Sequence, residues 1–238
     1  MPSTASELAK QSRLWQPVTA RWFAALFGAA VAYAILRYHI LGSVAWSHFP
    51  LYIFNKAVSL AAVFFVACSY LLGRVFRRHN DDPRIRLIVI KFCGLVGLSL
   101  AAIHGLMSLG LWSSQYYPAY FADDGKLILR GELAITLGIV ALWALAVPGV
   151  TTLPTMAKSI GGFRWKRTQR MGYLTLALVA AHLIALGLPG WLNPAGWGAL
   201  PPISLVAFVA AVFPLGAKIL RRRTDRSKPN EKTKETKS

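Results

Sequence analysis

The sequence has no glycine-rich phosphate loop behind a strand, no HExxH pair and no Ser-His-Asp trio within its apolar stretches. Binding of NADPH in the usual nucleotide fold, P-loop hydrolysis and zincin chemistry therefore lack the residues they need. Cysteine is nearly absent. Cys68 and Cys93 are the only two, both lie in apolar stretches, and no CxxC spacing joins them. They read as small core residues rather than as a disulfide or a metal pair. Charge is scarce as well, at 15% of 238 residues, against 55% hydrophobic. Acid is scarcest, with nine Asp and Glu set against 27 Lys and Arg, and Glu132 is the only one inside an apolar stretch.

What remains is apolar length. A hydrocarbon core of roughly 30 Å needs about 20 apolar residues in a helix. Six stretches qualify, at about 20–41, 52–74, 87–112, 127–148, 169–188 and 202–220. They use nearly the whole chain and leave no room for a soluble catalytic domain. The expected class is an all-α membrane protein, a six-transmembrane-helix bundle set in a lipid bilayer. Residues 1–17 form a polar lead, 18–221 the bundle and 222–238 a disordered basic tail attracted to anionic headgroups. Met1 to Lys10 is polar, and no cleavage pattern follows the first apolar stretch, so no cleavable signal peptide is expected.

The net charge of +18 raises the possibility of nucleic acid, but its placement points to topology instead. Grouping the N-terminus, the second loop, the fourth loop and the C-terminus collects 23 of the 27 Lys and Arg. Only Arg37, Lys56, Lys126 and Arg130 fall elsewhere. Six spans make this alternation self-consistent, and the positive-inside rule then puts both termini in the cytoplasm.

Two histidines stand deep in apolar stretches, His104 in residues 91–112 and His182 in residues 170–188. Each lies roughly seven residues from the end of its stretch that lacks a basic cluster, so the two share one depth near one face. An ionisable side chain inside a span is expensive unless paired, and it marks function by default. Two opposed imidazoles at one level of a helical bundle supply the axial ligands of a b-type haem, with His104 and His182 as its metal ligands. Around His104 the helical spacing aligns Gly97, Ala101, Gly105 and Ser108. Small side chains there either leave room for a flat macrocycle or serve close helix packing, and both readings stay open. His39 and His48 read as interfacial, and His79 as solvated in the turn before Pro83. The loop from Trp112 to Gly125 is aromatic, and Lys126, Arg130 and Glu132 follow it.

At this point the residues resemble a family. Phe49-Pro-Leu-Tyr-Ile-Phe-Asn55-Lys56 looks like the approach to the second span of the STEAP metalloreductases. Lys91-Phe-Cys-Gly94 followed by Ala-Ala-Ile-His104-Gly-Leu-Met-Ser-Leu is similar to their first haem-histidine segment. Arg130-Gly-Glu132-Leu-Ala-Ile-Thr-Leu-Gly138, continuing to Thr151-Thr152-Leu-Pro154, resembles the family's Arg-x-Glu-x-x-x-Ser-x-Gly and Thr-Ser-Ile-Pro pattern without a gap. Gly172, ten residues ahead of His182, Pro201-Pro202 and Lys218 keep the family's spacing. The resemblance runs from about Arg37 to Lys218 and places the chain in the wider ferric-reductase-like membrane superfamily. There are two departures. STEAP proteins usually carry a cytoplasmic NADPH-oxidoreductase domain ahead of the membrane part, which these residues lack. Trp165-Lys-Arg-Thr-Gln169-Arg instead resembles the haem-binding membrane subunit of bacterial methionine-sulfoxide reductase systems, where a histidine stands in place of Gln169.

The resemblance implies a bacterial inner-membrane, multi-pass oxidoreductase. Two-haem relatives carry a second histidine about 13–14 residues earlier on each ligand helix, about one leaflet away. Here those places hold Ile90 or Lys91, and Thr168 or Gln169, so one haem b is expected. In STEAP proteins FAD fills the inner leaflet. The resemblance points to Lys91, Arg164, Lys166, Arg167 and Arg170 for its diphosphate and to Gln169 for its ring. Basic inner loops serve topology equally well. Electrons would pass from a cytosolic flavin reductase or other donor to an external acceptor such as chelated ferric or cupric ion. Lys126 and Arg130 would attract the anionic chelate or pair with haem propionates, while Arg130 and Glu132 also suit a structural helix start. STEAP relatives suggest a homotrimer. Two other readings compete: a subunit passing electrons to a periplasmic enzyme or taking them from quinone, and a transporter that uses buried histidines as proton relays.

Overall fold

The structure, a computed structural model, describes residues 5–75 and 83–226. The expected turn at His79 and the tail from residue 227 lie outside them. Eight helices follow in chain order: α1 (Ala5–Ile35), α2 (Phe54–Val75), α3 (Pro83–Leu111), α4 (Leu129–Val150), α5 (Pro154–Ile160), α6 (Gly162–Gln169), α7 (Met171–Trp191) and α8 (Ile203–Arg226). Among the described residues there is no strand, only an isolated antiparallel bridge between Phe121 and Leu127.

Six helical segments are long and apolar enough to cross a membrane: Pro17–Ile40, Trp46–Leu72, Leu87–Leu111, Leu129–Val150, Gly162–Trp191 and Ile203–Leu220. They coincide with the six stretches expected from the sequence. The ends differ. α1 reaches back to Ala5 through the segment expected as a lead, and α8 runs to Arg226, into the segment expected as a tail. The fifth crossing is a joined pair, α6 then α7, meeting at Arg170. The first crossing ends and the second begins in single π-helical turns, Leu36–Ile40 and Phe49–Ile53.

Large apolar side chains point outward, as a lipid solvent allows and water would not. Leu106 and Trp143 are each 72% exposed and Phe213 is 63% exposed. Lipid tails are as apolar as leucine, so burial gives these helices little reason to associate, and close contact must hold them. α2 shows how. Its buried face carries Ala57, Ala61, Ala62 and Ala67 between Leu60 and Phe65, letting α1, α3 and α8 approach it. Gly97 on α3 lies so close to α2 that a β-carbon there would stand 2.7 Å from Val66 Cγ2 and 3.3 Å from the Ala62 carbonyl. For Gly97, close packing is therefore the reading that holds.

The bundle is built from two pairs. α2 packs against α3 along its length, and α4 packs likewise against α7. α8 bridges them by contacting both α2 and α7, whereas α3 meets α4 only lightly and makes at most marginal contact with α7. His104 stands on α3 and His182 on α7, one in each pair.

Candidate functional site

His104 stands in the last two turns of α3, and His182 in the second half of α7. Both are half-buried, and the two rings lie within electrostatic reach of one another across the gap between the pairs.

Each ring is fixed through Nδ1. His104 Nδ1 donates to Asn55 Oδ1 at 2.8 Å, and the Asn55 amide nitrogen donates to Ser108 Oγ at 3.0 Å. Asn55 is only 1% exposed, so this amide is committed to protein partners, the Tyr117 phenol among them, rather than to solvent. His182 Nδ1 donates to the Ala134 carbonyl at 2.7 Å. A carbonyl can only accept, so both rings carry their proton on Nδ1 and leave the Nε2 lone pair available as a metal ligand. Gly138, one turn beyond Ala134, makes the approach possible. A β-carbon there would lie 3.1 Å from both Nδ1 and Cε1 of His182. At Gly105 a β-carbon would meet only Leu142, at 3.6 Å.

Asn55 is thus a positioning residue that the sequence reading passed over, although a lone amide in an apolar span was its visible signal. Replacing Asn55 with Leu should remove the short acceptor of His104 Nδ1 and leave only the Ser108 hydroxyl, at 3.4 Å. On the haem reading proposed below, affinity read from a Soret titration should fall about 10- to 100-fold, the usual cost of losing a group that orients a ligand. Asn55→Asp, which keeps the acceptor, should lose less.

Above the histidines the loop from Trp112 to Tyr120 folds into an aromatic lid. Trp112 stacks on Tyr117 and Tyr120, with ring centroids 5.0 and 5.5 Å apart. The Tyr120 hydroxyl donates to the Leu186 carbonyl of α7. Burial raises the Tyr117 phenol far above its ordinary range, helped by the neighbouring Tyr52 and Tyr120, so it stays neutral. The Tyr120 phenol is raised too, again chiefly by burial.

Arg130 braces this lid. Its Nη2 donates to the Ala119 carbonyl at 2.8 Å, and its guanidinium lies 5.0 Å from the Tyr120 ring centroid. This is a contact with the loop rather than the helix-start feature with Glu132 that the sequence offered, and Arg130 Nε stays buried without a hydrogen-bond partner. Lys126 is exposed and forms an ion pair with Asp124 at 3.0 Å, which holds the Asp124 carboxyl below its usual range. His39 and His48 stay in the loop region. His39 stacks on Trp46 and bonds the Val44 carbonyl, and His48 meets Tyr116 edge-on.

A second concavity opens at the other end of the bundle. Tyr70, Lys91, Gly94, Thr152, Trp165 and Gln169 line it, with apolar side chains filling most of the remaining wall. Lys91 and Gln169, both expected at an inner-leaflet cofactor, are brought together here. Arg164, Lys166 and Arg170 do not line it; they stand exposed on α6 and at the α6–α7 junction. Gln169 is partly spent already. Its Nε2 donates to the Pro148 carbonyl at 3.1 Å and to Thr151 Oγ1 at 3.2 Å, leaving the amide oxygen. With Trp165 Nε1 donating to the Thr151 carbonyl, these bonds pin α6 to the end of α4.

Among the described residues no three His, Cys, Asp or Glu gather as a closed metal site. Two imidazoles suffice for an iron whose other four ligands belong to a porphyrin. No protein-family model matches the chain.

Proposed function

We propose that the chain is a haem b-binding transmembrane electron-transfer protein, with His104 and His182 as the axial ligands of one haem. The observation that carries this reading is the matched pair of imidazoles on two helices that barely meet each other, each with Nδ1 tied to an acceptor and Nε2 left over. The residues fit the group. A gap between helix pairs, a glycine under one ring and an apolar surround are what a flat macrocycle requires.

A bis-histidine haem supplies reversible one-electron chemistry, and the chain supplies everything that tunes it. Asn55 and the Ala134 carbonyl hold the rings in orientation and make the ligating nitrogens more basic. The aromatic lid of Trp112, Tyr117 and Tyr120 keeps water from the slot. The concavity beside Lys91 and Gln169 is suited to an FAD ring. Its phosphates would turn toward Lys91 and the exposed cations Arg164, Lys166 and Arg170. From Gly94 in that concavity to His104 is ten residues of α3, a rise of about 15 Å. With the cation-rich end in the cytoplasm of a bacterial inner membrane, electrons would enter beside α6 and leave beside the lid, toward a metal chelate or a partner enzyme.

Purification and an absorbance spectrum test this directly. The expected result is a b-type Soret band at one haem per chain, with flavin recovered in the extract. Ferric citrate added to dithionite-reduced protein should reoxidise it; a reduced protein inert to ferric citrate would point to a partner enzyme instead. A colourless preparation from haem-replete cells would return the chain to the transporter reading.

A further inference from the structure

Near the lid, two cations besides Arg130 stand without an acid. Lys56, next to Asn55 in the first turn of α2, directs its ammonium at three rings. The nitrogen lies 4.4 Å from the Tyr52 centroid and 5.6 Å from those of Tyr38 and Tyr117. No hydrogen bond or ion pair reaches it among the described residues. Arg37 sits 5.4 Å from the other side of the arrangement, at the Tyr38 ring, and within electrostatic reach of Lys56. Its Nη1 donates to the carbonyls of Trp197 and Leu200, while its Nε is buried without a partner.

Nothing nearby neutralises this pair. Asp124 belongs to Lys126, and Glu132 is exposed on α4. Tyr117 stays a neutral phenol for the reason given above. Ring faces offset part of the cost of a buried ammonium, but they accept none of its three N–H donors. Two like charges in a low-dielectric surround repel, and an anion between them would reverse the sign of the interaction. The same ammonium is within electrostatic reach of His104, so the site adjoins the histidine slot.

We propose that Lys56, caged by Tyr38, Tyr52 and Tyr117 and backed by Arg37, is a carboxylate-binding site on the lid side of the bundle. Its carboxylate comes either from the acid arm of a porphyrin seated between His104 and His182 or from a soluble tricarboxylate arriving past the lid. The first source rests on the haem reading; the second does not.

The test is two titrations of the purified full-length protein in detergent. In one, ferric protoporphyrin IX is compared with its dimethyl ester by Soret absorbance and tryptophan quenching. In the other, citrate is titrated calorimetrically. If the porphyrin is the source, wild type should bind the free acid about tenfold tighter than the ester, as one charge-assisted bond implies. Lys56→Gln should bring that ratio to about one, and Lys56→Arg should keep most of it. If the source is soluble, Lys56→Gln should weaken citrate about tenfold and leave the porphyrin ratio unchanged. Lys56→Met, isosteric and apolar, fits the ring cage and carries the same test should glutamine impair folding. Neutral variants that change neither the ester ratio nor citrate affinity would overturn the proposal. A chain that takes up neither porphyrin would remove the haem reading, and the citrate titration alone would then decide the site.

Discussion

Alanine at His104 or at His182 is expected to abolish haem retention, each by itself. The haem-to-protein ratio should drop more than tenfold while the chain stays helical and monodisperse. Truncation at His104 removes one proposed ligand and also takes from the buried Asn55 carbonyl oxygen its His104 donor, a penalty of about 1–3 kcal/mol. Truncation at His182 frees the Ala134 carbonyl, which still belongs to the ladder of α4, so the fold should suffer less there. The two variants should therefore look alike in the spectrum and differ in thermal stability, with His104→Ala the weaker fold. His39→Ala and His48→Ala should keep normal haem, because those rings are engaged with Trp46, Val44 and Tyr116 in the loops. His79→Ala, outside the described residues, is expected to keep it too. Normal haem content in either ligand variant would contradict the assignment.

Gly138→Leu should match His182→Ala in the spectrum without touching a ligand. A β-carbon at residue 138 already crowds the imidazole at 3.1 Å, and the branched carbons beyond it have no space unless the ring swings off the Ala134 carbonyl. Leucine is the better helix former by close to 1 kcal/mol, so α4 itself should not weaken. Loss of haem with helicity and melting temperature retained is the signature to look for. Gly138→Ala needs the ring to yield only a few tenths of an ångström and should cost about tenfold in affinity. Gly28→Leu, where a side chain meets nothing within 4 Å, serves as the control and should bind haem normally. Full haem content in Gly138→Leu would mean that the His182 ring has another resting place.

The six crossings were legible because they follow from a one-dimensional quantity, apolar length. What lay out of view depends on which helices touch. Gly97 and Gly105 stand eight residues apart on one helix and look equivalent in the sequence. One is filled by α2, the other faces only Leu142. Arg130 read equally well as an anion partner or a helix-start feature, and the bond it makes, to the Ala119 carbonyl, depends on a loop that folds back from outside its helix. Lys56 carried a visible signal, a cation inside an apolar stretch, yet the cage that surrounds it comes from three separate segments. The cationic run of α6 was legible as charge but not as geometry. Arg164 and Lys166 do not line the concavity that Lys91 and Gln169 share, while Trp165 and Gln169 pin α6 to the end of α4.

The division into an α2–α3 pair and an α4–α7 pair, joined mainly along α8, carries a mechanical meaning. A bundle hinged on one spine and barely latched on the opposite side behaves like a book, and a rigid plate bonded to both covers becomes its clasp. Whatever spans His104 and His182 would then be a structural fastener as well as a carrier of charge. Resistance to heat and to proteases would rise with occupancy, by the logarithm of ligand concentration over its dissociation constant.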